Sequence, residues 1–257
     1  MAGKVLITGA SGRIGRVLMQ GLAASGWSVS GCDLIGGENV VPADITDLES
    51  MRAVMRNCAA VIHLAGAPNA RGGWDKVWRS NVEGTRTVLE AARMEDCGQI
   101  IYASSIHTIG GLPAATPFGP DLPTHPSGIY GVTKVAAEGL LQVYADKAGL
   151  RAISVRICSF RPRPDDARSR RTWLGHEDAV HLFDRCLHDR TEGYQMIWGL
   201  SANSRAIVTD PTARRIGYEP AQNAENHLDD VSGDPETEPW PLMGGPVAAD
   251  QTTDFLP

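Results

Sequence analysis

Short apolar runs alternate with amphipathic segments along the first 160 residues of the chain. The runs have the length of one buried strand each and lie at residues 5–8, 29–33, 60–64, 99–103 and 151–158. The segments between them have apolar positions at helical spacing and lie at residues 13–25, 47–57, 74–93 and 128–148. Strands that alternate with helices indicate an α/β protein, so we predict a Rossmann-type doubly wound parallel sheet over residues 1–160.

Beyond residue 160 the pattern loosens. Residues 161–171 contain five Arg and two Asp and are predicted to form a loop. A helix is predicted over residues 176–188, a strand over 195–198 and a last helix over 203–216. We expect residues 161–227 to form a small substrate-binding region. Residues 228–257 are expected to be a partly irregular tail, in which the segment EPWPLMGG could dock on a neighbouring subunit as readily as on its own chain.

Composition excludes several classes of protein. The formal charge of −6 over 257 residues disfavours nucleic acid as a partner. Five cysteines without a C-x-x-C pair fit a reducing cytoplasm, and His176 and His181 lack metal-ligand spacing, so we predict no metal site. The longest apolar stretch is about half of what a bilayer requires, and the N-terminus has no secretion pattern. A cytoplasmic protein without a membrane segment is expected.

The first strand is followed by T-G-A-S-G-R-I-G, which contains Gly9, Gly12 and Gly15 together with Arg13 and Ile14. A glycine turn between a strand and a helix lets a pyrophosphate approach the N–H groups at the start of the helix. The glycines by themselves would equally fit a tight turn that reverses the chain and binds no cofactor.

Asp33 ends the second strand, where a carboxylate can accept hydrogen bonds from ribose hydroxyls and repel a ribose phosphate. NAD is therefore predicted in preference to NADP, although Asp33 could instead cap a turn. Asp44 and Ile45 could flank the adenine, with a helix N-cap as the alternative for Asp44.

Tyr130 and Lys134 are four residues apart in a predicted helix, so their side chains share one face. An ammonium group one turn away favours the phenolate of a tyrosine, which can then serve as a general base. Ser105, at the end of the fourth predicted core strand, would place a hydroxyl near the same reacting oxygen. We therefore predict Ser105, Tyr130 and Lys134 as the catalytic residues.

These motifs together resemble the extended short-chain dehydrogenase/reductase superfamily, whose members include the NAD-dependent epimerase/dehydratase family. The resemblance spans residues 4–160 and rests on the glycine turn, Asp33, ADITD, HLAG, Asn81, YASS and YGVTK. The later segments SSIHTIG, RICS, RTWLGHED and WGLSANS resemble the uronate dehydrogenase branch, which oxidises C1 of hexuronic acids with NAD. The resemblance adds the following residues to the predicted cofactor site: Leu64, Ala65, Gly66, Asn81 and Cys158.

The resemblance also implies that His107 and Ser159 line a sugar pocket and that Arg168 binds the carboxylate of a sugar-acid substrate. The family further implies a homo-oligomer. Two departures affect the substrate: Ile106 stands where the branch has Asn, and the loop at residues 67–73 lacks the usual serine. Two functions remain as alternatives, a nucleotide-sugar epimerase or dehydratase and a non-catalytic NAD-binding redox sensor.

Overall fold

The structure is a computed structural model that describes residues 3–69, 73–206, 208, 210–231 and 240–249. Its centre is a parallel sheet of seven strands in the order β3-β2-β1-β4-β5-β6-β9. A separate pair, β7 and β8, is also parallel. The strands are β1 Lys4–Thr8, β2 Ser28–Asp33, β3 Val40–Pro42, β4 Cys58–His63, β5 Gln99–Ser105, β6 Arg151–Ile157, β7 Ser159–Phe160, β8 Trp173–Leu174 and β9 Tyr194–Gly199.

Helices connect these strands and cover both faces of the sheet. They are α1 Arg13–Ala24, α2 Leu48–Met55, α3 Gly73–Trp78, α4 Gly84–Met94, α5 Ile129–Ala148, α6 Ser169–Thr172, α7 His176–His188, α8 Pro211–Arg215 and α9 Pro246–Ala249. A π-helical segment, Arg79–Glu83, joins α3 to α4, and 3₁₀ segments lie at Ile106–Ile109 and Ala224–Asp230. The predicted α/β class with a doubly wound parallel sheet is confirmed.

Alternate residues of β1 face opposite sides of the sheet and belong to two different cores. Val5 and Ile7 pack with side chains of α1 and α7, among them Phe183. Leu6 packs with side chains of α2, α4 and α5, among them Leu141. This period of two on a sheet covered on both faces explains why its strands read as continuous apolar runs.

β1 is also the point at which the order of the strands reverses. β2 and β3 extend the sheet on one side of β1, and β4, β5, β6 and β9 extend it on the other. The connections leaving β1 and β4 therefore run in opposite directions and open a crevice at the carboxyl ends of the strands. The site described below lies in this crevice.

The prediction of a last helix over residues 203–216 is wrong. α8 begins only at Pro211, where the side chain of Asp210 caps the N–H groups of Thr212 and Ala213. Asn203 is buried and bonds the carbonyl of Trp173 and the amide of Ala224, which fixes an irregular backbone at this position. Tertiary hydrogen bonds thus override the local helical pattern.

Three smaller differences concern elements of few residues. β3, the edge strand, was not predicted because it contains only three residues. The predicted helix over residues 74–93 is divided by the π-helical segment, and α6 begins within the predicted loop at residues 161–171. Such short features carry too little periodicity to be recognised in the sequence.

The sheet crosses the predicted boundary at residue 160, since β9 pairs with β6 along its whole length. The described part of the predicted tail includes residues 240–249, which dock on their own chain. Pro241 O accepts the Ala114 amide at 2.9 Å, and the Met243 amide donates to Leu112 O at 2.8 Å. Of the two expected docking modes for EPWPLMGG, the described residues 240–245 show docking within the chain.

Candidate active site

The glycine turn joins β1 to α1 at the bottom of the crevice. Gly9 has φ +69°, and a Cβ there would lie 2.8 Å from the amide nitrogen of Ala65. A Cβ on Gly15 would overlap the carbonyl of Gly9. Gly12 is the N-cap of α1 and offers no side-chain cap, so the first N–H groups of the helix open toward the crevice. This arrangement, together with the positive end of the helix dipole, suits a pyrophosphate.

Asp33 lies beside the turn at the end of β2. One carboxylate oxygen accepts the Ser11 amide at 3.0 Å and the other accepts the Leu34 amide at 2.8 Å. These bonds fix the carboxylate in position, and each of its oxygens keeps a lone pair for a ribose hydroxyl. The side chain therefore closes a turn and faces the cavity at the same time.

Asp44 and Ile45 follow β3 on the same side of the crevice. Asp44 accepts the amide and hydroxyl of Thr46 at 2.8 and 2.9 Å. The N-cap of α2 is Asp47, so the alternative reading of Asp44 as a helix cap is wrong. Ile45 is buried, and a Cβ on Gly84 would meet its side chain at 2.7 Å.

Asn81 lies in the π-helical segment and does not line the cavity. Its amide oxygen accepts the Ala67 N–H at 2.7 Å, and its nitrogen donates to Ala67 O and to Thr133 Oγ1, both at 3.1 Å. The side chain thus joins the loop after β4 to α5. The structure thus shows Asn81 bonded within the fold, and its predicted contact with the cofactor stays a prediction.

The three predicted catalytic side chains converge at the ends of β5 and α5. Ser105 Oγ accepts the His107 amide at 3.2 Å, so its own proton is available for the hydrogen bond that it makes with Tyr130. Lys134 is buried and donates to Ala103 O at 2.7 Å. Its Nζ lies 5.6 Å from the centre of the Tyr130 ring.

Burial is the largest cause of the pKa shifts of Tyr130 and Lys134. It raises the pKa of Tyr130 to about 12, and the hydrogen bond from Ser105 opposes this rise. Burial also lowers the pKa of Lys134 to about 7, while the charge of Glu138 opposes that fall. The predicted lowering of the phenol pKa combines Lys134 with the positive charge of a nicotinamide, so it stays a prediction.

Glu138, which the sequence analysis did not identify, acts on Lys134 through its charge. It is one turn further along α5 and buried. Arg156 donates to its two oxygens at 2.9 and 2.8 Å, and Ser104 donates to one of them at 2.6 Å. Glu138 and Arg156 are 18 residues apart and lie on different elements, so no local sequence motif contains both.

The substrate end of the cavity contains His107, Ser159 and Arg168. Arg168 Nη1 donates to Ser159 Oγ at 3.0 Å, and its Nε and Nη2 donate to Met243 O at 3.0 and 2.8 Å. His107 Nδ1 lies 3.1 Å from Ser127 Oγ. Burial, followed by the charge of Arg168, lowers the pKa of His107 to about 4. The imidazole is therefore neutral at physiological pH.

Ile106 lines the cavity but belongs to an apolar cluster with Phe118, Trp198 and Met243. An isoleucine at this position cannot hydrogen-bond a sugar hydroxyl. The other departure, at residues 67–73, is described only in part, because residues 70–72 lie outside the described chain.

One cavity of about 880 Å³ contains both ends of the site. Every predicted site residue except Asn81 lines it: Gly9, Gly12, Arg13, Ile14, Gly15, Asp33, Asp44, Ile45, Leu64, Ala65, Gly66, Ser105, His107, Tyr130, Lys134, Cys158, Ser159 and Arg168. Sequence reasoning missed several others, notably Lys76, Arg79, Phe160, Asp166, Gly244 and Pro246. Gly244 and Pro246 come from the predicted tail, and no local signal connects them with the site.

His63 takes no part in this cavity. Its Nδ1 lies 2.7 Å from Thr8 Oγ1 and its Nε2 lies 3.1 Å from Thr85 Oγ1. Burial lowers the pKa of His63 to about 3, and the charge of Lys134 adds to this shift. The histidine is neutral and joins β1, β4 and α4.

The described residues contain neither a helix suited to a membrane nor a cluster suited to a metal ion. No helix among them combines the length and the apolar character that a membrane span requires. Within the same ranges, no group of three His, Cys, Asp or Glu side chains is arranged to hold a metal ion.

Comparison with known proteins gives consistent matches. Residues 5–161 match the family model described as the NAD dependent epimerase/dehydratase family. Uronate dehydrogenase from Agrobacterium fabrum is 32% identical over 91% of this chain and 91% of its own. NAD-dependent glucose-6-phosphate dehydrogenase from Haloferax volcanii is 32% identical over 86% of this chain and 94% of its own. A uronate dehydrogenase variant from Agrobacterium tumefaciens, solved in complex with NAD, superposes with a TM-score of 0.89 at 31% identity, covering 98% of this chain and 99% of that one.

Proposed function

Because the chain belongs to the NAD-dependent epimerase/dehydratase family, we propose that it oxidises C1 of a hexuronic acid with NAD. The observation that carries this proposal is the position of Arg168, whose guanidinium shares one cavity with Ser105, Tyr130 and Lys134. A planar guanidinium suits a carboxylate because it donates two parallel hydrogen bonds. The similarity to uronate dehydrogenases over nine tenths of the chain supports the same substrate class.

The residues present fit NAD. The uncapped N-terminus of α1 suits the pyrophosphate, and the carboxylate of Asp33 suits the adenosine ribose. The resemblance assigns the ammonium group of Lys134 to the nicotinamide ribose, which it would hold beside Tyr130. When bound, NAD⁺ accepts the hydride that C1 loses and adds a positive charge beside the phenol.

The side chains of the site have separate roles in the proposed reaction. Tyr130 accepts the proton of the C1 hydroxyl, and Ser105 donates a hydrogen bond to the same oxygen, so the ring hemiacetal becomes a lactone carbonyl. Neutral His107 faces the sugar as a hydrogen-bonding group without charge. Arg168 binds the carboxylate at the other end of the sugar and thereby orients C1 toward the nicotinamide.

The two alternatives have less support. A nucleotide-sugar epimerase must hold the diphosphate and the nucleobase of its substrate beyond the sugar. That end of the cavity is lined by Gly244 and Pro246, which limit the space there. A redox sensor without turnover would not need the hydrogen-bonded Ser105 and Tyr130. From the family we further propose a cytoplasmic homo-oligomer, and the exposed apolar side chains of Val132 and Val143 on α5 are compatible with a subunit contact.

The test is NADH formation with glucuronate, galacturonate, glucose and glucose 6-phosphate. We expect turnover with at least one uronate and poor turnover with glucose. Arg168→Ala should raise KM for the uronate about 100-fold because a desolvated charge pair is lost, and Arg168→Lys should lose much of this binding despite keeping the charge.

Two controls make the result specific to the carboxylate. Arg163→Ala removes an exposed cation from the same loop that does not line the cavity, so KM should stay near the parent value. Glucose oxidation should not respond to Arg168→Ala. A preference for glucose 6-phosphate over both uronates, or an unchanged uronate KM in Arg168→Ala, would overturn the proposal.

A further inference from the structure

A short segment from the end of the described chain runs along the substrate end of the cavity. We call this segment, residues 240–245, the strap. It pairs with the backbone that follows His107: Ala114 N donates to Pro241 O, Met243 N donates to Leu112 O, and Gly244 N donates to Gly110 O at 2.9, 2.8 and 2.9 Å. Leu242 and Pro113 form an antiparallel bridge within this pairing. The strap therefore behaves as an added strand on the loop that carries His107.

The strap also holds the guanidinium of Arg168. Met243 O accepts both Nε–H and Nη2–H, which lie on one edge of the planar group and fix its rotation. The Met243 side chain is 3% exposed and packs with Ile106, Phe118 and Trp198, so this carbonyl is itself anchored. An arginine on a loop would otherwise lose considerable rotamer freedom each time it bound a ligand.

Two glycines let the strap come this close. A Cβ on Gly244 would lie 3.0 Å from Ser127 Oγ and 3.1 Å from His107 Nδ1, the two atoms that bond each other. Gly245 has φ +64°, and a Cβ there would lie 2.9 Å from both Cδ and Nε of Arg168. The strap thus contacts both side chains that face the sugar.

We propose that the strap is a positioning element of the substrate site, which fixes the guanidinium of Arg168 and the ring of His107 relative to each other. This inference rests on the proposed sugar-acid oxidation. If this positioning is lost, the substrate binds more weakly, because the side chains of the site must then become ordered as the substrate binds. The hydrogen bonds of the strap join it to the loop after His107 and to Arg168, so its effect should be confined to the substrate.

The test uses Gly245→Ala in the full-length protein, with Gly149→Ala as its matched control. Gly149 has φ +68° but nothing within 4 Å of a new Cβ, so the control carries the same backbone strain far from the site. We expect Gly245→Ala to raise KM for the uronate about tenfold, as the loss of one charged hydrogen bond would, with KM for NAD unchanged. Gly149→Ala should lower Tm by a similar amount and leave both KM values unchanged.

Gly244→Ala, with the open helical position Gly139→Ala as its control, reports on His107. This variant should impair oxidation of uronate and of glucose alike, because His107 faces the sugar and not the carboxylate. Unchanged uronate KM in both strap variants would overturn the proposal.

A second readout separates this proposal from the proposed function. The Arg168 Nε–H resonance in a ¹⁵N spectrum, assigned with Arg168→Lys, should shift in Gly245→Ala and stay in place in Gly149→Ala, with no substrate present. If the parent protein oxidises no sugar acid, the proposed function fails, and this resonance alone decides the proposal: a shift confined to Gly245→Ala supports it, and an unmoved resonance refutes it.

Discussion

At the scale of single residues, burial acts on Tyr130 and Lys134 in opposite directions. The pKa of the phenol rises to about 12 and that of the ammonium falls to about 7, so each group favours its neutral form. Proton transfer from the substrate to Tyr130 becomes favourable only when positive charge is close to the phenol. The requirement links catalysis to the protonated state of Lys134 and to the cationic form of the cofactor.

Tyr130→Phe should abolish turnover and leave cofactor binding intact. The substitution removes the proton acceptor without touching the glycine turn, so kcat should fall about 1000-fold, as expected for loss of a general base. NAD affinity, measured by calorimetry, should stay close to the parent value. Tyr144→Phe, which removes a phenol of the same helix that bonds Glu90 outside the site, should keep parent activity. Residual Tyr130→Phe activity above about one tenth of the parent value would contradict the assignment.

Sequence reasoning succeeded best for residues at strand ends and helix starts. Gly12, Asp33 and Ser105 follow directly from the order of elements, because parallel strands bring their carboxyl ends to one edge. Asn81 is not among the residues that line the cavity, and its predicted contact with the cofactor stays a prediction. The direction in which its side chain points depends on the π-helical segment, which sequence periodicity does not reveal.

At the scale of elements, α5 is the part of the fold that organises the chemistry. Tyr130, Lys134 and Glu138 follow one another at intervals of four residues and share one face of the helix. Glu138 is also fixed by Arg156 of β6 and Ser104 of β5. The sheet thus holds the carboxylate whose charge opposes the fall in the pKa of Lys134.

Glu138→Gln should move the alkaline limb of the pH profile of kcat/KM to lower pH. Removal of the carboxylate lowers the pKa of Lys134 below its present value of about 7, so the ammonium form is lost earlier as pH rises. The measurement is kcat/KM between pH 6 and pH 9. Glu90→Gln, which removes a carboxylate on α4 that bonds Arg93, should leave the profile in place.

Glu138→Gln leaves Arg156 as a buried charge without its carboxylate, which can destabilise the fold by about 3–5 kcal/mol. The double variant Glu138→Gln with Arg156→Gln avoids this charge. It should show the same direction of shift, and an unmoved alkaline limb in the double variant would show that Glu138 does not act on Lys134.

Long, periodic elements were predictable and short or tertiary ones were not. α5 and α7 appear in the sequence within one or two residues of their bounds, because each buries an apolar face. The wrong helix over residues 203–216 and the docking of the strap, which the sequence left open between two modes, have a common cause. In both places hydrogen bonds to distant backbone groups, at Trp173 for Asn203 and at Leu112 for Met243, decide the conformation.

At the scale of the whole molecule, one sheet supports both halves of the site. β1 and β2 lead to the groups suited to the cofactor, β5 ends at Ser105 beside Tyr130 and Lys134 of α5, and β9 extends the same sheet beyond residue 160. Two histidines are neutral in this fold, the buried His63 between β1, β4 and α4 and the half-buried His107 at the substrate end. A fold that holds histidines neutral is sensitive to acid.

The free energy of unfolding should therefore fall as pH decreases from about 6.5. The pKa values of His63 and His107 lie at about 3 and about 4 in the folded protein, below the unfolded value of 6.5. Between these values the unfolded chain binds protons that the folded chain excludes, so stability is present above pH 6.5 and is lost toward pH 3–4. Each histidine contributes a slope of about 1 kcal/mol per pH unit within this window.

Urea unfolding at intervals between pH 7 and pH 4.5 measures this slope, in a range where most carboxylates remain charged. His63→Gln can still bond Thr8 and Thr85 but does not titrate, so its slope should be lower than that of the parent by about 1 kcal/mol per pH unit whatever its stability at pH 7. His188→Gln removes an exposed histidine and should keep the parent slope. Equal slopes for His63→Gln and the parent would mean that groups other than His63 cause the acid sensitivity, and the buried imidazole between Thr8 and Thr85 would have to accept a proton in the folded state.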